Sequence, residues 1–147
     1  MDEIDHDILR ILERDGRLSY SDLAQRVGLS ANAAAERVRK LQANGTIERF
    51  TATIDPGALG LPLRALIEVK MESETTAAQF EERAARTPGV LRAFVTTGRY
   101  DWVLEVAARD QHDLQRIIEA LRAGALTRDT YSRIITVDRR FPIVPAR

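Results

Sequence analysis

Apolar side chains recur along residues 4–14 as Ile4, Ile8, Leu9, Ile11 and Leu12, the spacing of one buried face on an α-helix. Gly16 in "DGR" ends it. Ser19 and Asp22 have capping-box-like spacing, and Leu23, Ala24 and Val27 form the stripe of a second short helix, with Gly28 supplying the turn. A third helix, expected from about Ala31 to Ala43, starts at Ser30, whose hydroxyl suits an N-cap. Its inward stripe is Ala34, Val38 and Leu41, and Gly45 stands where a left-handed C-terminal cap needs glycine. Three short helices with a tight turn between the second and third make a helix-turn-helix unit.

"TIERFTATID" follows, with Ile47 and Phe50 among threonines, and reads as a strand. "IDPGALGLPL" concentrates Pro56, Gly57, Gly60 and Pro62, so a hinge is expected, with the domain boundary at about residue 60. Beyond it the pattern alternates. "LRALIEVKM" is a strand with Leu63, Ala65, Ile67, Val69 and Met71 on one face. "TTAAQFEERAART" is a helix ended by Pro88-Gly89, and "VLRAFVTTG" is a strand. "GRYD" is a tight connection, and "WVLEVAAR" is a strand. "DQHDLQRIIEALRA" is a helix capped by Asp110 with the stripe Leu114, Ile117, Ile118 and Leu121. "TYSRIITVDRR" is the last strand. The order β-α-β-β-α-β is the ferredoxin-like arrangement, with both helices on one face of an antiparallel sheet. The fold class is therefore α+β. The strand at Trp102, Leu104 and Val106 also carries Val103 and Ala107, so its second face is expected to need a partner, most simply a second copy of the chain.

Composition narrows the class. Of 147 residues, 44% are hydrophobic and 30% charged, which fits a globular fold rather than disorder. No stretch approaches the ~18 apolar residues of a membrane span. The acidic start "MDEIDHDILR" does not read as a signal peptide. Without cysteine there are no disulfides, thiolate metal sites or thiol catalysis, and a cytoplasmic location is expected. Formal charge is zero, but it is unevenly spread. Residues 1–16 hold six acids against Arg10 and Arg14, whereas residues 17–49 carry a net +3. A neutral protein of this kind can still present one basic face.

That distribution gives the third helix a purpose. A helix of ~13 residues is ~20 Å long and fits a DNA major groove. Alanines at 33 and 35 permit close approach. Asn32, Ala33, Glu36, Arg37 and Lys40 are expected to turn outward, where Asn suits adenine, Arg suits guanine and Glu suits cytosine. Arg39 and Lys40 suit phosphates, and Ser30 sits at the helix start. The same residues also fit a solvated helix of a small bundle. The two preceding helices and the turn favour DNA.

The stretch "DHDILRILERDGRLSYSDLAQRVGLSANAAAERVRKLQANGTIERFTATID" resembles the helix-turn-helix of the Lrp/AsnC (feast/famine) regulators. The second half resembles that family's effector and assembly domain, down to "GRYDWVLEV". The likeness spans nearly the whole chain. It implies a transcription regulator with a DNA-binding domain over 1–50, a linker strand and hinge over 51–62, and a ferredoxin-like effector-binding and oligomerisation domain over 63–147. It further implies double-stranded DNA and an amino-acid effector of unnamed identity as partners, and dimers that often assemble four to a ring as an octamer. The family's effector pocket lies where its G-x-Y-D loop meets a neighbouring subunit. Here that loop is Gly98, Arg99, Tyr100 and Asp101. Asp101 is suited either to an α-ammonium or to bonding its own backbone in an ordinary turn. The family's paired threonines correspond to Thr130 and Ser132 around Tyr131, with Arg133 where a small residue is common.

Nothing points to catalysis. His6 and His112 fall on separate helices, Thr96 and Thr97 have no neighbouring histidine, and no phosphate-binding glycine motif or metal-ligand cluster is present. Tyr20 and Tyr100 suit contact or packing. No cofactor, metal site or membrane association is expected. Besides the amino-acid-responsive regulator, two other readings fit the pattern: an effector-independent DNA-architectural protein of the same fold, and a small ferredoxin-like enzyme with a helical accessory domain.

Overall fold

A computed structural model of the chain describes residues 1–144. The chain folds as two compact units: Met1–Thr53 together with the described residues from Arg139 on, and Ile54–Asp138.

The first unit holds α1 (Glu3–Arg14), α2 (Tyr20–Val27) and α3 (Ala31–Ala43). Each start is set by a short polar side chain that accepts an otherwise orphaned N–H. Asp2 caps α1 and Ser19 caps α2. At α1 the cap is reciprocal, because the Asp5 carboxylate accepts from the Asp2 N–H while Asp2 accepts from Asp5. Gly28 ends α2 at φ +68, the left-handed geometry that makes the turn tight. Ile8, Leu23, Ala24, Ala34, Val38 and Leu41 form the core.

The expected strand at "TIERFTATID" is not formed: residues 46–55 run without a ladder partner, and Phe50 and Ile54 are exposed. β-Branched residues favour extended backbone, but a strand exists only when a neighbour takes its hydrogen bonds.

The second unit starts with a 3-10 turn, Pro56–Leu59. There follow β1 (Leu63–Met71), α4 (Ala77–Arg86), β2 (Val90–Val95), β3 (Trp102–Ala108), α5 (Gln111–Arg122) and β4 (Thr127–Ile134). The sheet is wholly antiparallel in the order β2-β3-β1-β4, so β2 and β4 are its edges. β4 begins three residues earlier than expected and stops at Ile134 rather than continuing through Arg140. Ala65 pairs with Ile134, and β1 begins at Leu63, so little of β1 is left for β4 to pair with beyond that point. Thr76 and Gln79 form a second reciprocal cap, at α4.

One face of the sheet is closed by α4 and α5. Ala65, Ile67, Val69, Leu104 and Val106 meet Phe80, Leu114, Ile117 and Leu121 in a continuous core. Gly89 sits at φ +92, and its carbonyl accepts the Ala107 N–H at 2.8 Å. The opposite face is not the bare apolar surface expected from Val103 and Ala107. Arg64 pairs with Glu105 and, at 2.6 Å, with Asp138. Glu68 pairs with Arg133 at 2.8 Å and Lys70 with Asp101 at 2.9 Å. Half-exposed Phe94 and Tyr131 lie beneath Arg92 and Arg133. Alternation along β1 puts Arg64, Glu68 and Lys70 on this side because the intervening residues face the helices.

Candidate functional site

The Ser30 hydroxyl accepts the Ala33 N–H at 3.2 Å and so starts α3. Its part is to fix the helix end. The helix runs over the expected range, Ala31–Ala43, and closes through Asn44 and the positive-φ Gly45, with the Ile47 N–H returning to the Leu41 carbonyl at 2.9 Å. Its buried stripe is wider than expected. Ala35 joins Ala34, Val38 and Leu41 at 6% exposure, so Ala35 does not help the helix approach DNA. Outward stand Asn32, Glu36, Arg39 and Lys40, with Ala33 half-exposed beside them. Among the described residues, Arg39 and Lys40 have no ion-pair partner, and both side chains are exposed to meet an external anion.

Arg37 differs. Its Nη1 donates to Asp2 Oδ2 and to Asp5 Oδ1, both at 2.7 Å. The guanidinium pKa is raised by these two bonds. Asp2 is held below the usual carboxylate range by the Asp5 N–H and then by Arg37, and Asp5 chiefly by the Asp2 N–H. In the sequence Asp2 and Asp5 figure only among the acids of residues 1–16, although their D-x-x-D spacing is that of a cap. Their convergence on an arginine more than thirty residues away is not legible there, because no local pattern reports that α1 begins beside α3.

In the second unit, the loop 96–101 joins β2 to β3. The Thr96 N–H donates to the Asp101 carbonyl at 2.9 Å, and the Thr96 hydroxyl donates to the Tyr100 carbonyl at 3.1 Å. Gly98 takes φ +117, which few other residues tolerate. Arg99 stacks on the Tyr100 ring at 5.3 Å. Asp101 anchors the loop to β1. Its N–H donates to the Val69 carbonyl at 2.9 Å, and its carboxylate accepts the Met71 N–H at 2.8 Å and the Lys70 ammonium at 2.9 Å. Lys70, then the Met71 N–H, hold the carboxyl below its ordinary range. The Asp101 carboxylate is therefore engaged by the neighbouring strand β1, while its carbonyl closes the turn to Thr96.

Thr130 and Ser132 are register partners of Val69 and Ile67, so their side chains share the helix-covered face. Lys70 and Asp129 are paired on the other face, where Asp129 receives a long bond from the Tyr100 hydroxyl at 3.5 Å. Within one chain, then, the loop residues come together with Lys70 and Asp129 rather than with Thr130 and Ser132. Lys70 was missed because a lysine in an alternating strand reads simply as a solvated position. Among the described residues no group of three or more histidine, aspartate or glutamate side chains is arranged to hold a metal. No described helix is long and apolar enough to cross a membrane.

Comparison with known proteins adds to this geometry. Residues 1–42 match the model of the AsnC-type helix-turn-helix domain, and residues 64–137 match that of the Lrp/AsnC ligand binding domain. The HTH-type transcriptional regulator FL11 of Pyrococcus horikoshii is 33% identical over 92% of this chain and 89% of its own. The HTH-type transcriptional regulator AldR of Mycobacterium tuberculosis is 36% identical over 92% and 77%. Among solved structures, the transcriptional regulator NMB0573 of Neisseria meningitidis in complex with L-Met superposes with a TM-score of 0.89 at 25% identity, covering 99% of this chain and 96% of that one.

Proposed function

The chain belongs to the Lrp/AsnC family of transcriptional regulators, and on that premise we propose that α3 reads duplex DNA while the sheet domain binds an amino acid or a related small molecule. It is a regulator, not an enzyme. The observation that carries the DNA assignment is the arrangement of α3. It is a capped helix whose buried stripe turns Asn32, Ala33, Glu36, Arg39 and Lys40 outward together, with two cations among them that have no ion-pair partner among the described residues. Asn32 and Glu36 are suited to base edges, and Arg39 and Lys40 to phosphates. Ser30 fixes the helix start from which these contacts are made.

An amino-acid effector has a fixed head group, and a site for it must satisfy an ammonium and a carboxylate. The reading is supported by the relative solved with L-Met. Asp101 uses two of its acceptor positions on Lys70 and Met71, and a carboxylate has about four. It receives the ammonium on the rest. Lys70 and the N–H groups of the Gly98–Tyr100 loop, with Arg99, hold the effector carboxylate. Thr130 or Ser132 comes from a neighbouring chain, since within one chain they lie on the other face of the sheet. A site shared between chains couples effector binding to assembly. The working unit is a dimer in which two α3 helices read related half-sites, with four dimers closing an octamer, and the cell compartment is the cytoplasm. The internal engagement of Asp101 is also what an effector-independent DNA-architectural protein of this fold would have.

Calorimetric titration of each of the twenty amino acids into the purified protein, followed by DNA titrations with and without those that bind, tests the assignment. Binding of at least one amino acid with a shift in DNA affinity is expected. DNA binding indifferent to all twenty selects the architectural alternative.

A further inference from the structure

Arg37 lies on the flank of α3 nearest the start of α1, where its Nη1 is shared between Asp2 and Asp5. Nη1 has two hydrogens, and both are spent. A guanidinium is planar with five N–H groups, so three remain, on Nε and Nη2. Those three make the side-on fork that matches guanine O6 and N7. The side chain keeps 31% exposure and lines an open groove of about 500 Å³ with Ala33, Glu36 and Lys40. Each of the two carboxylates also accepts a backbone N–H of the other residue in the first turn of α1, which restrains it. Two restrained acids therefore hold one arginine, and the trio carries a net charge of −1.

We propose that Asp2 and Asp5 make Arg37 an arginine that reads a base edge and not one that grips phosphate, so that the acidic start of α1 sets the sequence selectivity of α3. A phosphate contact is worth having because a free cation releases condensed counterions. A trio at −1 gains little from one. A base edge is neutral, and its acceptors meet a guanidinium fork already held in place, so little side-chain freedom is lost on binding. Lys40 and Arg39, exposed on the same helix and without an ion-pair partner among the described residues, supply the phosphate contacts that Arg37 does not. This inference rests on α3 being the helix that enters the groove.

The test uses the full-length protein and two probes: a random-sequence 30-bp duplex, and a duplex of the same length that the wild type selects from a random pool. The variant Asp2→Asn/Asp5→Asn removes charge but keeps acceptors, and Asn is as good an N-cap as Asp, so α1 still starts. The variant is expected to bind the random duplex more tightly, with a log–log salt slope steeper by up to about 0.9. The ratio of selected to random affinity is expected to fall about fivefold or more, the low end of one bidentate base contact. Arg37→Lys, which keeps the charge and loses the fork, is expected to hold its random-duplex affinity and lose its preference at one base pair of the selected site. An unchanged ratio in the double variant, or unchanged preference in Arg37→Lys, overturns the inference and leaves the clamp as a structural strut. A wild type that binds neither duplex overturns the assignment of α3 itself, before any variant is compared.

Discussion

The Lys70 ammonium and the Asp101 carboxylate meet at 2.9 Å on the face of the sheet that the helices leave open. The carboxylate also takes the Met71 N–H, so it ties the loop 96–101 to β1 while it pairs with Lys70. Asp101→Asn keeps an acceptor for Met71 and removes the charge. It is expected to lose effector affinity by roughly tenfold or more, in line with about 1.5–3 kcal/mol for a charged hydrogen bond, while effector-free DNA affinity stays near wild type. Calorimetry with an amino acid that the wild type binds measures this. Full affinity retained in the variant removes Asp101 from the ammonium site.

Lys40 is exposed and unpaired among the described residues, so its charge is available to phosphate. Lys40→Ala is expected to weaken binding to every duplex by a similar factor and to make the salt slope shallower by about 0.9. Binding titrations across a salt series check it. An unchanged slope places Lys40 off the backbone.

Asp113 accepts the Arg109 N–H at 2.9 Å and lies beside the guanidinium groups of Arg109 and Arg116, which together lower its pKa from 3.8 to about 2. A carboxyl whose folded-state pKa is depressed contributes stability above its unfolded value, and that contribution is lost as pH falls through the folded one. The window here runs from about pH 4 down to about 2. Thermal melts of Asp113→Asn are therefore expected to depend less on pH in that window than wild-type melts. Parallel curves exclude Asp113 as a source of the acid sensitivity.

Gly89 combines φ +92 with a position where an added Cβ would stand 2.7 Å from both the Ala107 carbonyl oxygen and Ile117 Cδ1. Both backbone conformation and space exclude a side chain. Gly89→Ala is expected to cost about 2 kcal/mol or more, read from chemical denaturation. A loss under 0.5 kcal/mol, the range of an ordinary surface change, means that the turn has room to shift.

Residues 46–55 are partly apolar and without a ladder partner, and the open sheet face carries exposed Phe94 and Tyr131. Sedimentation at micromolar concentration is expected to give a dimer. A monomer there removes the basis for paired recognition helices.

Most of the fold could be read locally. Ser30, Ser19 and Asp110 announce helix starts because a cap lies next to the N–H groups it serves. The alternation of Ala65, Ile67 and Val69 announces a buried face for the same reason. What could not be read depends on residues brought together by the fold. "TIERFTATID" has strand composition but no partner within the chain. Arg37 looked like a free outward cation until α1 was seen beside it. Lys70 acquires a role only when β3 delivers Asp101 to its side. Ala35 fell one position outside the three-residue stripe read from spacing, yet the folded helix buries it.

The sheet ends at β2 and β4, edges beyond which no further strand pairs among the described residues. Such edges invite further strands, and a chain that pairs edge to edge grows without limit into fibre. Here the edge strands carry Arg92 on one side and Arg128, Asp129 and Arg133 on the other. Adding a strand would strip water from these charges, which is costly enough to discourage open-ended growth. In the assembly proposed above, copies meet through faces, and contacts through faces can close on themselves, which would keep the number of α3 helices per particle finite and countable.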